Sequence, residues 1–256
     1  MSQSNLLTAP ASHAADPPTH LVLIPSYNTG EKLAQTVAEA LHHWPHVCVV
    51  IDGSTDGSDK SLNHQSPRLQ IIRRSRNGGK GAAVLDGIRA AKNFTHVLVM
   101  DADGQHSAPS IPEFMEISHQ HPQAMILGEP VFDGTAPKIR RIARPLANAL
   151  ARLQTAGCSR IGDSLFGFRI YPRAELLAVM ESTAGMRKFD FDTEAAIRLA
   201  WRGVPAINLP APVRYFSAAE GGVSHFRYGR DNLRLAAMHL RLLSEILFRG
   251  VRSCRR

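Results

Sequence analysis

Residues of β-forming, mostly apolar character gather in short runs along the first half of this chain: His20–Ile24, Val47–Ile51, Leu69–Ile72, Val97–Met100 and Ala124–Leu127. Such brief, uninterrupted runs suit strands buried on both faces. Between the first two runs, Leu33, Val37, Leu41 and Trp44 recur at steps of four, four and three, which predicts a helix, and a second helix is expected from about Lys80 to Lys92. Strand and helix in alternation predict an α/β fold with a mostly parallel, doubly wound sheet flanked by helices. The second half is less regular. A helix is expected over about Lys138–Leu153, a strand through Leu165–Tyr171 and a helix near Asp190–Trp201. From Tyr228 to Arg249, Leu233, Ala236, Leu240, Leu243 and Leu247 recur at helical steps with arginines interleaved, the pattern of a C-terminal amphipathic helix that docks on the domain or on a membrane surface.

The 256 residues, 44% hydrophobic, are enough to bury one large core, and no internal linker or repeat divides them. Residues 1–18, rich in Ser, Ala and Pro, read as a disordered lead-in without the basic start and apolar run of a secretory signal. One domain is expected over 19–226, followed by a basic amphipathic helix and tail over 227–256. No stretch approaches the roughly 20 apolar residues that span a bilayer. Cys48, Cys158 and Cys254 are odd in number and far apart, so no structural disulfide is expected and the cytoplasm is the expected compartment, with peripheral association on its membrane face.

The net charge of +8 favours an anionic partner without choosing among nucleic acid, nucleotide and lipid headgroup. Much of the excess is late: Arg230, Arg234, Arg241, Arg249, Arg252, Arg255 and Arg256 stand against Asp231 and Glu245.

A parallel doubly wound sheet binds ligands beyond the carboxyl ends of its strands. There the sequence places Pro25-Ser-Tyr-Asn28, Asp52-Gly-Ser-Thr-Asp56 and Asp101-Ala-Asp-Gly-Gln105. Asp101 and Asp103 bring two carboxylates, and Gln105 a neutral oxygen, to one sheet edge, where a hard divalent cation is held together with substrate phosphates. The same triplet suits a turn with Asp101 as helix N-cap, and the two uses are compatible. Asp52 can accept from a base N–H or a ribose hydroxyl; an Asx turn suits Asp56 better. Asn77-Gly-Gly-Lys-Gly-Ala82 precedes a helix, so its backbone N–H groups and Lys80 can face a phosphate. It lacks Walker A spacing, and no G-x-G-x-x-G follows the first strand, which argues against ATPase and dehydrogenase chemistry. Arg140, Arg141 and Arg144 share the polar face of their helix, suited to phosphate or simply solvated. Arg169 carries the same two readings. Asp190, Asp192 and Glu194 open a helix, as general-base candidates or as first-turn acids that complement its dipole. His42, His43 and His46 lack carboxylate or thiol company and read as surface residues.

Five ordered segments resemble the family 2 glycosyltransferases, especially the branch of dolichyl- and polyprenyl-phosphate sugar synthases: Ile24–Asn28, Val49–Gly57, Asn77–Ala82, Asp101–His106 and Asp163–Arg169. The likeness covers about His20 to Tyr171 and implies a GT-A fold. It also implies a metal-dependent, inverting transfer from a nucleotide-diphosphate sugar to a lipid-linked or polyprenyl-phosphate acceptor, with no nucleic-acid partner. By that resemblance Pro25, Tyr27, Asn28 and Asp52 surround the nucleoside with Lys80 nearby. Asp101, Ala102 and Asp103 then face the donor, and Asp101, Asp103 and Gln105 hold Mg2+ or Mn2+ against its diphosphate. Asp163, in the D-x-x-x-G-F-R match, is the expected general base, with Asp192 as rival, while Arg140, Arg141 and Arg169 are the expected phosphate and acceptor contacts. Ser224–Arg227 resembles a late segment bordering the acceptor. Two departures leave base and sugar open: Ile51-Asp52 replaces a pair of acids, and Thr29 an acid after Tyr-Asn. Rival functions are sugar-1-phosphate nucleotidyl transfer, which wants an Arg-bearing Gly-rich loop where Pro25–Asn28 stands, and a non-catalytic basic binding module.

Overall fold

The computed structural model describes residues 19–133, 138–155, 157–217, 220 and 225–249, excepting the side chains of 138–143, 228, 248 and 249. The readings of 1–18, of the Arg140 and Arg141 side chains, of Ser224 and of the tail beyond 249 lie outside the described residues.

Among the described residues seven strands form one sheet in the order β3-β2-β1-β4-β6-β5-β7. They are β1 His20–Ser26, β2 Val47–Asp52, β3 Leu69–Arg74, β4 His96–Val99, β5 Met125–Phe132, β6 Arg169–Pro172 and β7 Ala206–Val213. β1 pairs parallel to β2 and β4, with Leu23 opposite both Cys48 and Val99. Only β6 runs the other way, antiparallel to β4 and β5. The helices are α1 Lys32–His43, α2 Lys80–Ala90, α3 Ile111–Gln120, α4 Lys138–Gln154, α5 Arg173–Glu181, α6 Phe191–Trp201 and α7 Tyr228–Arg249.

The apolar runs become strands because both faces of the sheet are covered. Every residue of β1 and β2 is buried. Alternate side chains leave opposite faces of a strand, so Leu23, Val50 and Val97 join one core with α2, α5 and α6. Val22, Val49 and Leu98 join the other, with Leu33 and Val37 of α1 and Phe114 of α3. Each such buried side chain contributes about 1.5–3 kcal/mol. The expected strand over 165–171 shrinks to β6, because the chain just before it is turned by hydrogen bonds to Asp163 (Leu165 N 2.9 Å, Phe166 N 2.8 Å).

α7 docks on the body through Met238 and Leu242, both buried, and through ion pairs. Glu194 of α6, fully buried, accepts from Arg198 Nε at 2.7 Å and Arg241 Nη2 at 2.5 Å, and Arg198 also pairs with Glu245 at 2.6 Å. Glu194 is thereby a structural anchor. The stripe read from the sequence points elsewhere: Leu233, Leu240 and Leu247 are 73%, 69% and 80% exposed. Helical geometry sets them opposite Asp231, Met238 and Leu242. Cys48 is a free, buried thiol that desolvation pushes up to about 12. Cys158 is disulfide-bonded, against the expectation of no disulfides.

Candidate active site

A cavity of about 650 Å³ opens beyond the carboxyl ends of β1, β2 and β4. Its wall includes Pro25, Tyr27, Asp52, Lys80, Asp101, Ala102, Asp103, Gln105 and Asp192. Pro25, Asp52 and Asp101, far apart in sequence, thus meet because three parallel strands end side by side, as this sheet type dictates, and Asp192 joins them from α6.

Asp52, the last residue of β2, is buried and already engaged. It accepts from Gly78 N at 2.8 Å, from Gly79 N at 2.6 Å and from the Arg74 guanidinium. Those bonds close the turn ahead of α2, where Gly79 sits at φ 98°, and so aim Lys80, the first residue of α2, at the cavity.

Lys80 Nζ lies 2.7 Å from Asp101 Oδ1 and 2.7 Å from Asp192 Oδ2. Burial works against its charge, but the Asp101 and Asp192 carboxylates outweigh that and hold the ammonium above the ordinary lysine range. Asp192 Oδ1, buried, has no hydrogen-bond partner among the described residues. Gly167 makes this convergence possible: a Cβ there would stand 2.5 Å from Lys80 Nζ and 3.1 Å from Asp101 Oδ2.

His106 was not singled out by the sequence, although it ends the Asp101–His106 segment. Its Nδ1 accepts the Asp101 N–H at 3.0 Å and so fixes the backbone of that acid. Desolvation outweighs the opposing influence of Asp101 and brings its imidazole down to about 4, leaving it neutral near pH 7. Asp103 Oδ1 accepts Gln105 N at 3.0 Å, which closes the turn that carries both.

For a divalent cation the fit is favourable. Among the described residues no set of three or more His, Cys, Asp or Glu side chains is grouped to hold a metal alone. Two carboxylates and an amide on one wall instead suit Mg2+ or Mn2+ completed by phosphate oxygens and water. The unpartnered oxygen of Asp192 adds anionic character there.

Three expected residues are off the cavity wall. Asn28, at φ 45°, ties the loop after β1 to the loop after β2: its Oδ1 accepts Thr55 N at 2.7 Å, and its N–H donates to Ser54 Oγ at 3.0 Å. Asp163 is 3% exposed; besides its two backbone bonds it pairs with Arg144 Nη1 at 2.6 Å, and Asn148 Nδ2 donates to its Oδ2 at 3.3 Å. Arg169 is fully buried, donating to the carbonyls of Asp163, at 2.9 Å, and of Asp192. Asp190, its side chain accepting Lys188 N at 2.9 Å, organises the turn into α6.

Basic residues share the cavity with the acidic ones. Arg144, Arg227, Arg230 and Arg234 also line the cavity. Asp231, 1% exposed, organises the last three, accepting from Arg227 N at 2.8 Å, Arg234 Nη1 at 3.1 Å and Arg230 Nε at 3.4 Å. The sequence signals for this group were the resemblance of Ser224–Arg227 to a segment bordering the acceptor and the arginines interleaved along the C-terminal helix, which were not read as lining the cavity.

The family model described as Glycosyl transferase family 2 matches residues 21–176. The polyprenol monophosphomannose synthase of Mycolicibacterium smegmatis is 29% identical over 228 residues, covering 84% of this chain and 83% of that protein. The dolichol-phosphate mannosyltransferase of Saccharomyces cerevisiae is 34% identical over 127 residues, 46% of this chain and 45% of its own. Among solved structures, glucosyl-3-phosphoglycerate synthase from Mycobacterium tuberculosis superposes with a TM-score of 0.64 at 17% identity, over 89% of this chain and 80% of that one. The fold is therefore GT-A.

Proposed function

This chain belongs to glycosyl transferase family 2, and from that premise we propose that it moves a sugar, with inversion and with Mg2+ or Mn2+, from a nucleoside-diphosphate donor to a polyprenyl-phosphate acceptor at a membrane surface. The observation that carries the reading is that one cavity is lined both by acids, Asp101, Asp103 and Asp192, and by guanidinium groups, Arg144, Arg230 and Arg234.

In this reading Pro25, Tyr27 and Asp52 border the nucleoside. A cation held by Asp101, Asp103 and Gln105 supplies stabilisation of charge on the departing diphosphate. The arginines receive the acceptor phosphate, for which planar guanidinium groups are suited. Arg144 takes over the part expected of Arg169: it lines the cavity, whereas Arg169 is fully buried and off the wall.

Asp192 is preferred to Asp163 as the acid beside the acceptor, because Asp163 spends its oxygens on the fold while Asp192 lines the cavity and keeps one oxygen without a hydrogen-bond partner among the described residues. With a hydroxyl acceptor it takes the proton as general base. With an already ionised phosphate it acts by positioning.

Membrane-surface action is supported by the exposed leucines of α4 and α7, with Arg230, Arg234 and Arg241 flanking those of α7. No described helix is long and apolar enough to cross a bilayer. Each basic group near an anionic leaflet contributes about 1 kcal/mol.

The reading is tested with a panel of nucleoside-diphosphate sugars, Mn2+ and a polyprenyl phosphate, scoring the product and its anomeric configuration. A glycosyl phospholipid of inverted configuration is expected from at least one donor. Retained configuration, or release of diphosphate from a nucleoside triphosphate and a sugar 1-phosphate, contradicts it.

A further inference from the structure

We infer that Lys80 is an exchangeable internal cation: it holds Asp101 and Asp192 together in the donor-free protein and yields Asp101 to the divalent metal that arrives with the donor diphosphate. This rests on the metal-dependent reading above and adds an order to it, in which metal and nucleotide bind as a unit.

The geometry points to Lys80 because one ammonium bridges two carboxylates at 2.7 Å each, one belonging to the proposed metal pair and the other to the proposed acceptor-side acid. Its side chain is 9% exposed and that of Asp192 10%, so little water screens that pair, whereas Asp101, at 34%, is the more open of the two acids. Without the ammonium the two acids would face each other across Gly167 without the cation that bridges them, at a cost to both. With it, one carboxylate oxygen, Asp192 Oδ1, still lacks a hydrogen-bond partner among the described residues, so an acceptor is left unused.

The backbone of Lys80 cannot follow its side chain. The turn before it is clamped by Asp52, and Ala82 N donates to Arg187 O at 3.0 Å. Only the four-carbon stem is left to swing. Lys80 is also the first residue of α2, where the helix dipole disfavours a cation and favours a phosphate. A diphosphate seated at that helix end gives the displaced ammonium its new partner.

The consequence is a pair of effects with opposite signs. In the donor-free protein Lys80 competes with free metal for Asp101, whereas in the complex it adds to the binding of the metal–diphosphate unit. A lysine that merely supported the fold would move both affinities the same way.

The test measures Mn2+ binding by electron paramagnetic resonance, with and without UDP or GDP, in wild type, Lys80→Met and Lys80→Arg, with thermal melting as the control for folding. Lys80→Met is expected to bind free Mn2+ about tenfold more tightly and Mn2+–nucleoside diphosphate about tenfold more weakly. Lys80→Arg should remain near wild type in both. Lys80→Gln, whose amide still donates to carboxylates, repeats the measurement should the Met variant not fold. Free-Mn2+ affinity that is unchanged or weaker in the neutral variants overturns the inference. Wild type that binds no Mn2+–nucleoside diphosphate at all overturns the metal-dependent reading itself.

Discussion

Asp163 and Asp192 illustrate how two buried acids in neighbouring motifs come to different uses. Asp163 accepts two backbone N–H groups and pairs with Arg144, so its removal leaves a turn untied and a guanidinium unmatched. Asp163→Ala is expected to lower unfolding free energy by roughly 3 kcal/mol in a urea titration. Asp192→Asn should instead keep the melting temperature within a few degrees while turnover falls about a hundredfold at unchanged donor KM. Full turnover by Asp192→Asn, together with a stable but inactive Asp163→Ala, would reverse the assignment. The sequence made both acids visible through their segments. It was silent on which oxygens the backbone claims, since a hydrogen bond from Phe166 N to Asp163 has no compositional trace.

At the level of elements, the amino ends of β1 and β4 hold an aromatic stack far in sequence from the carboxyl-end chemistry. His20 lies over His96, 4.5 Å between centroids and 7° between planes, and against His119 at 4.1 Å. Burial first, then the neighbouring His96 and His119, bring His20 down to about 3; burial likewise lowers His96, His46 and His239. These imidazoles are neutral when folded and titrate near 6.5 when unfolded. The unfolded chain therefore binds more protons, and their stabilisation is complete above about pH 6.5 and lost progressively as pH falls toward 3. A urea midpoint lower at pH 5.5 than at pH 7.5 is expected; an equal or higher midpoint at pH 5.5 contradicts this. β1, β2 and β4 were legible because burial on both faces leaves an uninterrupted apolar run. β7 was not, since Pro210 and Pro212 interrupt a strand that an edge position tolerates. Nor does local pattern reveal that β6 inserts, reversed, between β4 and β5.

Across the whole molecule, α7 has two apolar faces, and the sequence showed the outer one more plainly. The inner face is mixed, Met238 and Leu242 beside the ion pairs of Arg241 and Glu245, so its docking is invisible to a hydrophobic count. The outer face repeats leucine every seven residues, as do Leu146 and Leu153 of α4, which are 68% and 67% exposed. Changing Leu233, Leu240 and Leu247 to Ser is expected to reduce co-sedimentation with anionic vesicles at least about tenfold while sparing transfer to a short-chain, water-soluble acceptor. Undiminished vesicle binding would remove this face from the membrane-surface reading.

The proposed transfer depends most directly on Asp103, which lines the cavity together with Asp101. The deciding measurement is sugar transfer to polyprenyl phosphate by wild type and Asp103→Ala, each with Mn2+ and with chelator, alongside thermal melting. Turnover by wild type that chelator abolishes, and none by a variant that melts like wild type, is the expected result. Near-normal turnover by Asp103→Ala, or wild-type turnover that survives chelator, contradicts it.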